Sequence, residues 1–194
     1  MRIISGTYRG LHLRSLKPAS LRPTSDQMRE TLFDVLGPGV AGARFLDAYA
    51  GSGAVGLEAL SRGARAVVLI EHHRAAVELI RRNLEALGAG AGVRLLTCQV
   101  ASGLEKLSEE GLPFDFIFLD PPYTEIREYH HALRQLGRSP LLHSSSAVVA
   151  EHSRYTILEE AYGPLTRQRE IRHGDAQLSF YRLAEAGGWR MGRG

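Results

Sequence analysis

The chain has 194 residues, 44% of them hydrophobic and 23% charged, with one cysteine and a net charge of +3. That composition excludes collagen, a disordered chain and a disulfide scaffold, and it supplies enough apolar material for one ordinary core. The net charge conceals an asymmetry: residues 1–25 carry five bases and no acid, residues 26–163 carry 13 bases against 18 acids, and residues 164–194 carry six against three. Basic ends around an acidic middle fit either a polyanion held by the terminal segments or a solvated basic arm. Arginine supplies 22 of the 24 bases, and its planar fork suits bidentate phosphate contacts. No apolar run approaches the roughly 20 residues that span a bilayer, and the opening Met1-Arg2-Ile3-Ile4-Ser5 has no secretory apolar stretch. A cytoplasmic protein without a membrane partner is therefore expected.

In chain order, residues 1–15 read as a short β-hairpin turning near Gly6 or Gly10. Thr24-Ser25-Asp26-Gln27 reads as a capping box for a helix that turns Met28, Leu32 and Val35 or Leu36 inward. Short aliphatic runs then alternate with helical patterns: Phe45-Leu46, Val67 to Ile70, Val93 to Leu96, Phe114 to Leu119 and Ala147 to Val149. One intervening helix is plain from Val77, Ile80, Leu84 and Leu87 at spacings of three and four, with Gly88 as its stop. Leu165 to Arg172 and Gln177 to Leu183 flank His173-Gly174-Asp175-Ala176, a hairpin signal. The rhythm predicts an α/β fold: a mostly parallel seven-stranded sheet, helices on both faces, and an antiparallel pair at the end. Length predicts one domain, 1–194, comprising a basic N-terminal hairpin extension (1–21), an α/β core (22–186) and a frayed tail (187–194).

Two constellations carry chemistry. The first is Asp47-Ala48-Tyr49-Ala50-Gly51-Ser52-Gly53-Ala54-Val55-Gly56, where a strand runs out into a turn and a helix. Glycines there permit positive φ and close approach of a ligand beyond the carboxyl ends of the strands, although glycines also serve plain turns. A carboxylate at Asp47 repels a pyrophosphate and suits a ligand with a cationic head, such as S-adenosylmethionine. Glu71, 20 residues after Gly51, stands where an acid accepts ribose hydroxyls; it also fits a plain helix N-terminus.

The second is Asp120-Pro121-Pro122-Tyr123, directly after an apolar strand. Two prolines fix their own φ and restrict the residue before them, so a carboxylate, a carbonyl and an aromatic ring form a stiff array. Such an array can accept both hydrogens of an exocyclic amine, turning its lone pair toward an electrophilic carbon while Tyr123 stacks on a flipped-out base. The pairs His72-His73 and His130-His131 lack a ligand-spaced carboxylate or cysteine motif, and adjacent residues diverge on a helix, so no metal is expected. Ser144-Ser145-Ser146 has no nucleophile elbow.

The runs Arg22-Pro23-Thr24-Ser25-Asp26-Gln27-Met28-Arg29-Glu30-Thr31-Leu32-Phe33, then Leu46 to Ala64, then Leu119 to Tyr123, resemble the RsmD-type bacterial 16S ribosomal RNA guanine-N2 methyltransferases. The opening Met1 to Gly6 and the closing Gly174 to Tyr181 resemble that family too, so the likeness spans nearly the whole chain. It implies a Rossmann-like class I S-adenosylmethionine-dependent methyltransferase. The implied reaction is methylation of the 2-amino group of a guanosine in 16S rRNA, free or in an assembled or partly assembled small subunit, by a monomer. By position it implies cofactor roles for Asp47, Tyr49, Gly51, Gly53, Glu71, Gln99 and Thr24, and catalytic roles for Asp120, Pro121, Pro122 and Tyr123. One departure is Thr97-Cys98-Gln99-Val100, where relatives commonly offer Asp or Asn to the adenine amino group; Gln99 replaces that contact or leaves it to the backbone. Charge assigns RNA contacts to Arg2, Arg9, Arg14, Lys17 and Arg22 in front and to Arg167, Arg169 and Arg172 behind. The rival readings are a DNA adenine-N6 methyltransferase, a non-catalytic RNA-binding or ribosome assembly module and, weakest, an NAD-binding oxidoreductase.

Overall fold

The aliphatic runs become the strands of one sheet in the computed structural model, which describes residues 1–15, 26–89 and 91–184. In chain order the elements are α1 (Asp26–Leu36), β1 (Arg44–Asp47), α2 (Ala54–Ser61), β2 (Ala66–Ile70), α3 (Arg74–Leu87), β3 (Val93–Leu96) and α4 (Val100–Glu110). There follow β4 (Phe114–Leu119), α5 (Ile126–Leu136), β5 (Leu142–Ser153), β6 (Ala161–Tyr162), β7 (Leu165–His173) and β8 (Ala176–Leu183). The strand order is β3-β2-β1-β4-β5-β8-β7-β6, parallel from β3 to β5 and antiparallel beyond. The order reverses between β1 and β4, which opens a crevice beyond their carboxyl ends.

Both faces of the sheet are covered. Leu46, Val68, Ile117 and Val148 pack with Leu104 and Leu107 of α4 and Tyr129, Leu133 and Leu136 of α5. Phe45, Val67, Phe118 and Val149 pack with Met28, Leu32 and Phe33 of α1, Val55 of α2 and Ile80 of α3. The third glycine of the loop is fixed by this packing: a Cβ on Gly56 would stand 2.3 Å from Leu69 Cδ2 and 3.1 Å from Val67 Cγ1.

The sheet has eight strands where seven were expected. The addition is the two-residue β6, too short to leave a pattern; the buried Tyr162 anchors it, its hydroxyl accepting from Glu159 N at 3.0 Å and lying 2.8 Å from His130 Nδ1. β5 also begins earlier than its aliphatic run. Its register against β4 jumps from Phe114↔Leu142 to Phe116↔Ala147, and within the jump the Ser146 hydroxyl donates to the Phe114 carbonyl at 2.6 Å.

The N-terminal hairpin is reduced to one antiparallel bridge, Arg2↔His12, rather than a ladder. Gly6 and Gly10 both take φ +83°, and at Gly6 a Cβ would meet the Ser61 carbonyl oxygen at 1.8 Å. Side chains of α2 hold the segment instead. The buried Glu58 carboxylate accepts from the backbone amides of Ile4 and Ser5 at 2.8 and 3.0 Å, and pairs with Arg62 at 2.8 Å. The capping-box residues Thr24 and Ser25 and the tail 187–194 lie outside the described residues, as do Lys17 and Arg22; α1 itself buries Met28, Leu32 and Leu36, with Val35 half-buried.

Candidate active site

At the switch point, β1 delivers Asp47 into a turn that Gly51 and Gly53 complete with φ +55° and +79°. Such left-handed backbone is strained for any residue with a Cβ. Asp47 is buried, and its Oδ2 accepts from Gly56 N at 3.0 Å, closing strand onto helix. Burial pushes the Asp47 carboxyl up to about 7; the Gly56 amide opposes that shift and the charge on Glu71 adds to it.

Glu71, also buried, follows β2. Its Oε2 accepts from Gly51 N at 2.9 Å, and its Oε1 from the amides of His72 and His73 at 2.8 Å each. The side chain therefore ties the glycine loop to the β2–α3 turn, with about one of its four acceptor sites left for a ligand. Among the described residues neither Asp47 nor Glu71 is paired with a lysine or arginine. Two buried carboxylates at the ends of neighbouring strands, both bonded to the glycine-loop backbone, make a site for a cation-bearing ligand and an unfavourable one for a pyrophosphate. The arrangement fits S-adenosylmethionine, whose ammonium and sulfonium supply positive charge and whose ribose supplies donors.

The remaining cofactor candidates are differently placed. The Tyr49 hydroxyl donates to Glu128 Oε2 of α5 at 3.2 Å, and burial together with Glu128 pushes it well above its usual range. Gln99 is exposed at the N-terminus of α4, where its side chain makes no capping hydrogen bond. Thr24 lies outside the described residues. His72 and His73 precede α3 rather than diverging on a helix: their rings are 3.9 Å apart, and with Glu71 they bring three ligand-type atoms within 4.8 Å.

One strand over, β4 ends at Asp120-Pro121-Pro122-Tyr123. Asp47 pairs with Phe118, so the half-buried Asp120 continues β4 two residues past the level of Asp47, on a strand about 4.8 Å away. The corner is braced from behind by Tyr129 of α5, whose buried hydroxyl lies 3.2 Å from the Pro121 carbonyl oxygen and 2.8 Å from that of Glu151. The Tyr123 hydroxyl donates to Glu151 Oε1 at 3.4 Å. Burial, and next the charge of Asp120, push the Tyr129 phenol far up, so it stays a donor.

Tyr129 and Glu151 escaped the sequence reading. Tyr129 shares a helical face with Ala132, Leu133 and Leu136 and so reads as core, while Glu151 simply ends an aliphatic strand. Asn83 was missed as well: its amide bonds both the N–H and the carbonyl of Arg14 and the carbonyl of Ser52 in the glycine loop. That bond set ties the Arg14 backbone to the glycine loop through α3.

Among the expected RNA contacts, Arg2, Arg9 and Arg14 are exposed. The three behind do not form one set. Arg167 is engaged with Glu170 at 3.1 Å and the Leu158 carbonyl at 3.2 Å, while Arg169 and Arg172 sit opposite Phe180 and Gln177, on different faces of the hairpin, after a bulge. Among the described residues no helix is long and apolar enough to cross a membrane.

A reversed parallel order, a carboxylate-lined glycine crevice and an acidic diproline corner beside it define a Rossmann-like methyltransferase fold. Residues 1–182 match the family described as Conserved hypothetical protein 95, and the chain belongs to it. It is 32% identical over 182 residues to the "Putative rRNA methyltransferase YlbH" of Bacillus subtilis, covering 94% of this chain and 98% of that one. It is 43% identical over 123 residues to the "Ribosomal RNA small subunit methyltransferase D" of Escherichia coli, covering 63% of this chain and 60% of that one. A solved structure, "Putative methyltransferase yhhF from Escherichia coli", superposes with a TM-score of 0.81 at 34% identity, over 94% of this chain and 97% of that one.

Proposed function

We propose that the protein is an S-adenosylmethionine-dependent rRNA methyltransferase acting on the exocyclic N2 amine of a guanosine in 16S rRNA, as free RNA or within an assembled or partly assembled small subunit. The observation that carries this reading is the Asp120-Pro121-Pro122-Tyr123 corner, half-open, one strand away from the Asp47 carboxylate and two from that of Glu71. The names of the B. subtilis and E. coli relatives support rRNA as the substrate.

In this reading Asp47 and Glu71, with the turn at Gly51 and Gly53, hold the donor, which supplies an electrophilic methyl group on a positively charged sulfur. The Asp120 carboxylate and the Pro121 carbonyl accept the two hydrogens of the N2 amine. That grip turns the nitrogen lone pair toward the methyl carbon and stabilises the charge that grows on nitrogen. The new C–N bond forms as the C–S bond breaks, its electron pair staying on sulfur, and the excess proton leaves nitrogen for Asp120 or water. Tyr123 stacks on the flipped base. Guanine also offers N1–H beside its amine, a second donor for Asp120, whereas adenine offers a bare N1 that the carboxylate repels. Phosphate contacts fall to the exposed Arg2, Arg9, Arg14 and Arg172.

The test is methyl transfer from radiolabelled S-adenosylmethionine to small-subunit rRNA, and to small subunits, from cells lacking the gene, with DNA as a parallel substrate. Digestion to nucleosides is expected to yield N2-methylguanosine. Label on adenine alone, or on DNA alone, contradicts the assignment.

A further inference from the structure

The substrate reading leaves unused the most exposed apolar side chains among the described residues. Tyr155 is 71% and Ile157 86% exposed, and both lie in the segment that leaves β5. That segment lies beyond the same end of the parallel strands, the carboxyl end, as Asp120. Ala150 pairs with Leu119, so Ser153 stands three residues beyond the end of β4, roughly 10 Å along the neighbouring strand.

The segment is braced. Thr156 N donates to the Ser153 carbonyl at 2.8 Å and Tyr155 N to Ser153 Oγ at 3.3 Å, which closes a turn. Arg154 N donates to the Asp175 carbonyl at 2.9 Å, fastening that turn to the β7–β8 connection. The buried Thr156 and Leu158 root it in the fold. At its tip the Arg154 guanidinium lies 4.7 Å from the centre of the Tyr155 ring and also donates to its hydroxyl. The same guanidinium pairs with the exposed Asp175 carboxylate at 3.3 Å, which fixes it over the ring. A ring held on one face by a guanidinium, yet largely exposed, offers its other face for stacking. Arg172, exposed near the end of β7 two strands from β5, adds positive charge at the same β7–β8 connection. A buried ring would pack; an exposed ring on a fixed turn, backed on one face by a guanidinium, suits a base.

We propose that the turn Ser153–Thr156 is a stacking platform on which Tyr155 receives an unpaired nucleotide of the substrate RNA next to the methylated one. This rests on the RNA reading above. A strand whose flipped base reaches Asp120 passes over this turn, and a neighbouring base stacked on Tyr155 fixes its register. An open aromatic face on a rigid turn favours a nucleobase over an apolar protein surface, and the exposed Arg172 nearby can serve the phosphate.

The test compares wild type, Tyr155→Ala and Tyr155→Trp on small-subunit rRNA and on small subunits from cells lacking the gene, alongside binding of a fluorescein-labelled single-stranded oligoribonucleotide. Tyr155→Ala is expected to raise KM, and weaken oligoribonucleotide binding, by about tenfold with kcat within about twofold, and Tyr155→Trp to restore both. An unchanged KM for Tyr155→Ala on a substrate that the wild type methylates overturns the platform. So does a failed rescue by tryptophan, and so does a loss confined to assembled subunits with oligoribonucleotide binding intact, which marks a protein contact instead. Wild type that methylates neither RNA substrate overturns the function proposed above, an outcome separate from any effect at Tyr155.

Discussion

The hydroxyl of Tyr129 lies 3.2 Å from the carbonyl oxygen of Pro121, so a buried phenol on α5 sets the direction of a carbonyl at the corner after β4. The same hydroxyl lies 2.8 Å from the Glu151 carbonyl, which locks that corner to β5. Tyr129→Phe keeps the ring and removes the brace. Loss of one buried hydrogen bond is expected to cost about 1 kcal/mol of stability. Turnover is expected to fall by about tenfold through mispositioning, with donor affinity unchanged. Single-turnover methyl transfer beside calorimetric titration of S-adenosylmethionine checks this; equal losses in both would place Tyr129 in the packing alone.

Asp47 gives a pH dependence with a defined sign. Burial raises its folded-state pKa to about 7, above the unfolded value of about 3.9, so the folded chain holds the proton more tightly. The stabilisation from that proton is complete below about pH 4 and declines as pH rises toward 7, by at most ~1.4 kcal/mol per pH unit. Urea denaturation between pH 4 and 8 should show this slope in wild type and lose it in Asp47→Asn. A bound cation favours the ionised carboxylate, so S-adenosylmethionine should bind more tightly at pH 8 than at pH 6, and Asp47→Asn should flatten that trend.

Glu58 anchors the N-terminal segment through the Ile4 and Ser5 amides and Arg62. Glu58→Ala strands those donors inside the protein and is expected to cost roughly 3 kcal/mol. Hydrogen exchange should accelerate first at Ile4 and Ser5, ahead of β1 and β4. Uniform acceleration across the sheet would show that the segment and the core open together.

The glycine loop separates two causes for one residue type. At Gly56 an added methyl drives into Leu69 and Val67, and Gly56→Ala is expected to cost about 1–3 kcal/mol. At Gly51 no atom lies within 4 Å of the added carbon, so Gly51→Ala bears only the strain of φ +55°, about 1–2 kcal/mol. Thermal unfolding of the two variants should rank Gly56→Ala as the less stable, while donor affinity should fall in Gly51→Ala.

The central strands were legible because each is a short apolar run bounded by polar turns, and the Gly-x-Gly-x-x-Gly and Asp-Pro-Pro-Tyr motifs stand at strand ends where α/β sheets bind ligands. β6 was not, since two residues have no period. The start of β5 was not either, because its polar Ser144-Ser145-Ser146 stretch bulges out of the ladder. The contacts that organise the site were invisible for another reason. Glu71 to Gly51 spans 20 residues, Asn83 to Arg14 spans 69, and Tyr129 to Glu151 spans 22; each is made between side chain and backbone, which carries no pattern in sequence. The histidine pair 72–73 shows the opposite error, a helical geometry assumed where the chain is still a loop.

The most direct test concerns Asp120. Asp120→Ala removes the carboxylate that grips the amine and leaves Asp47, Glu71 and the glycine loop intact. Single-turnover methyl transfer to small-subunit rRNA is expected to fall by about 10²–10³-fold or more, with S-adenosylmethionine affinity held within about threefold. Transfer at the wild-type rate with that carboxylate gone would contradict the account.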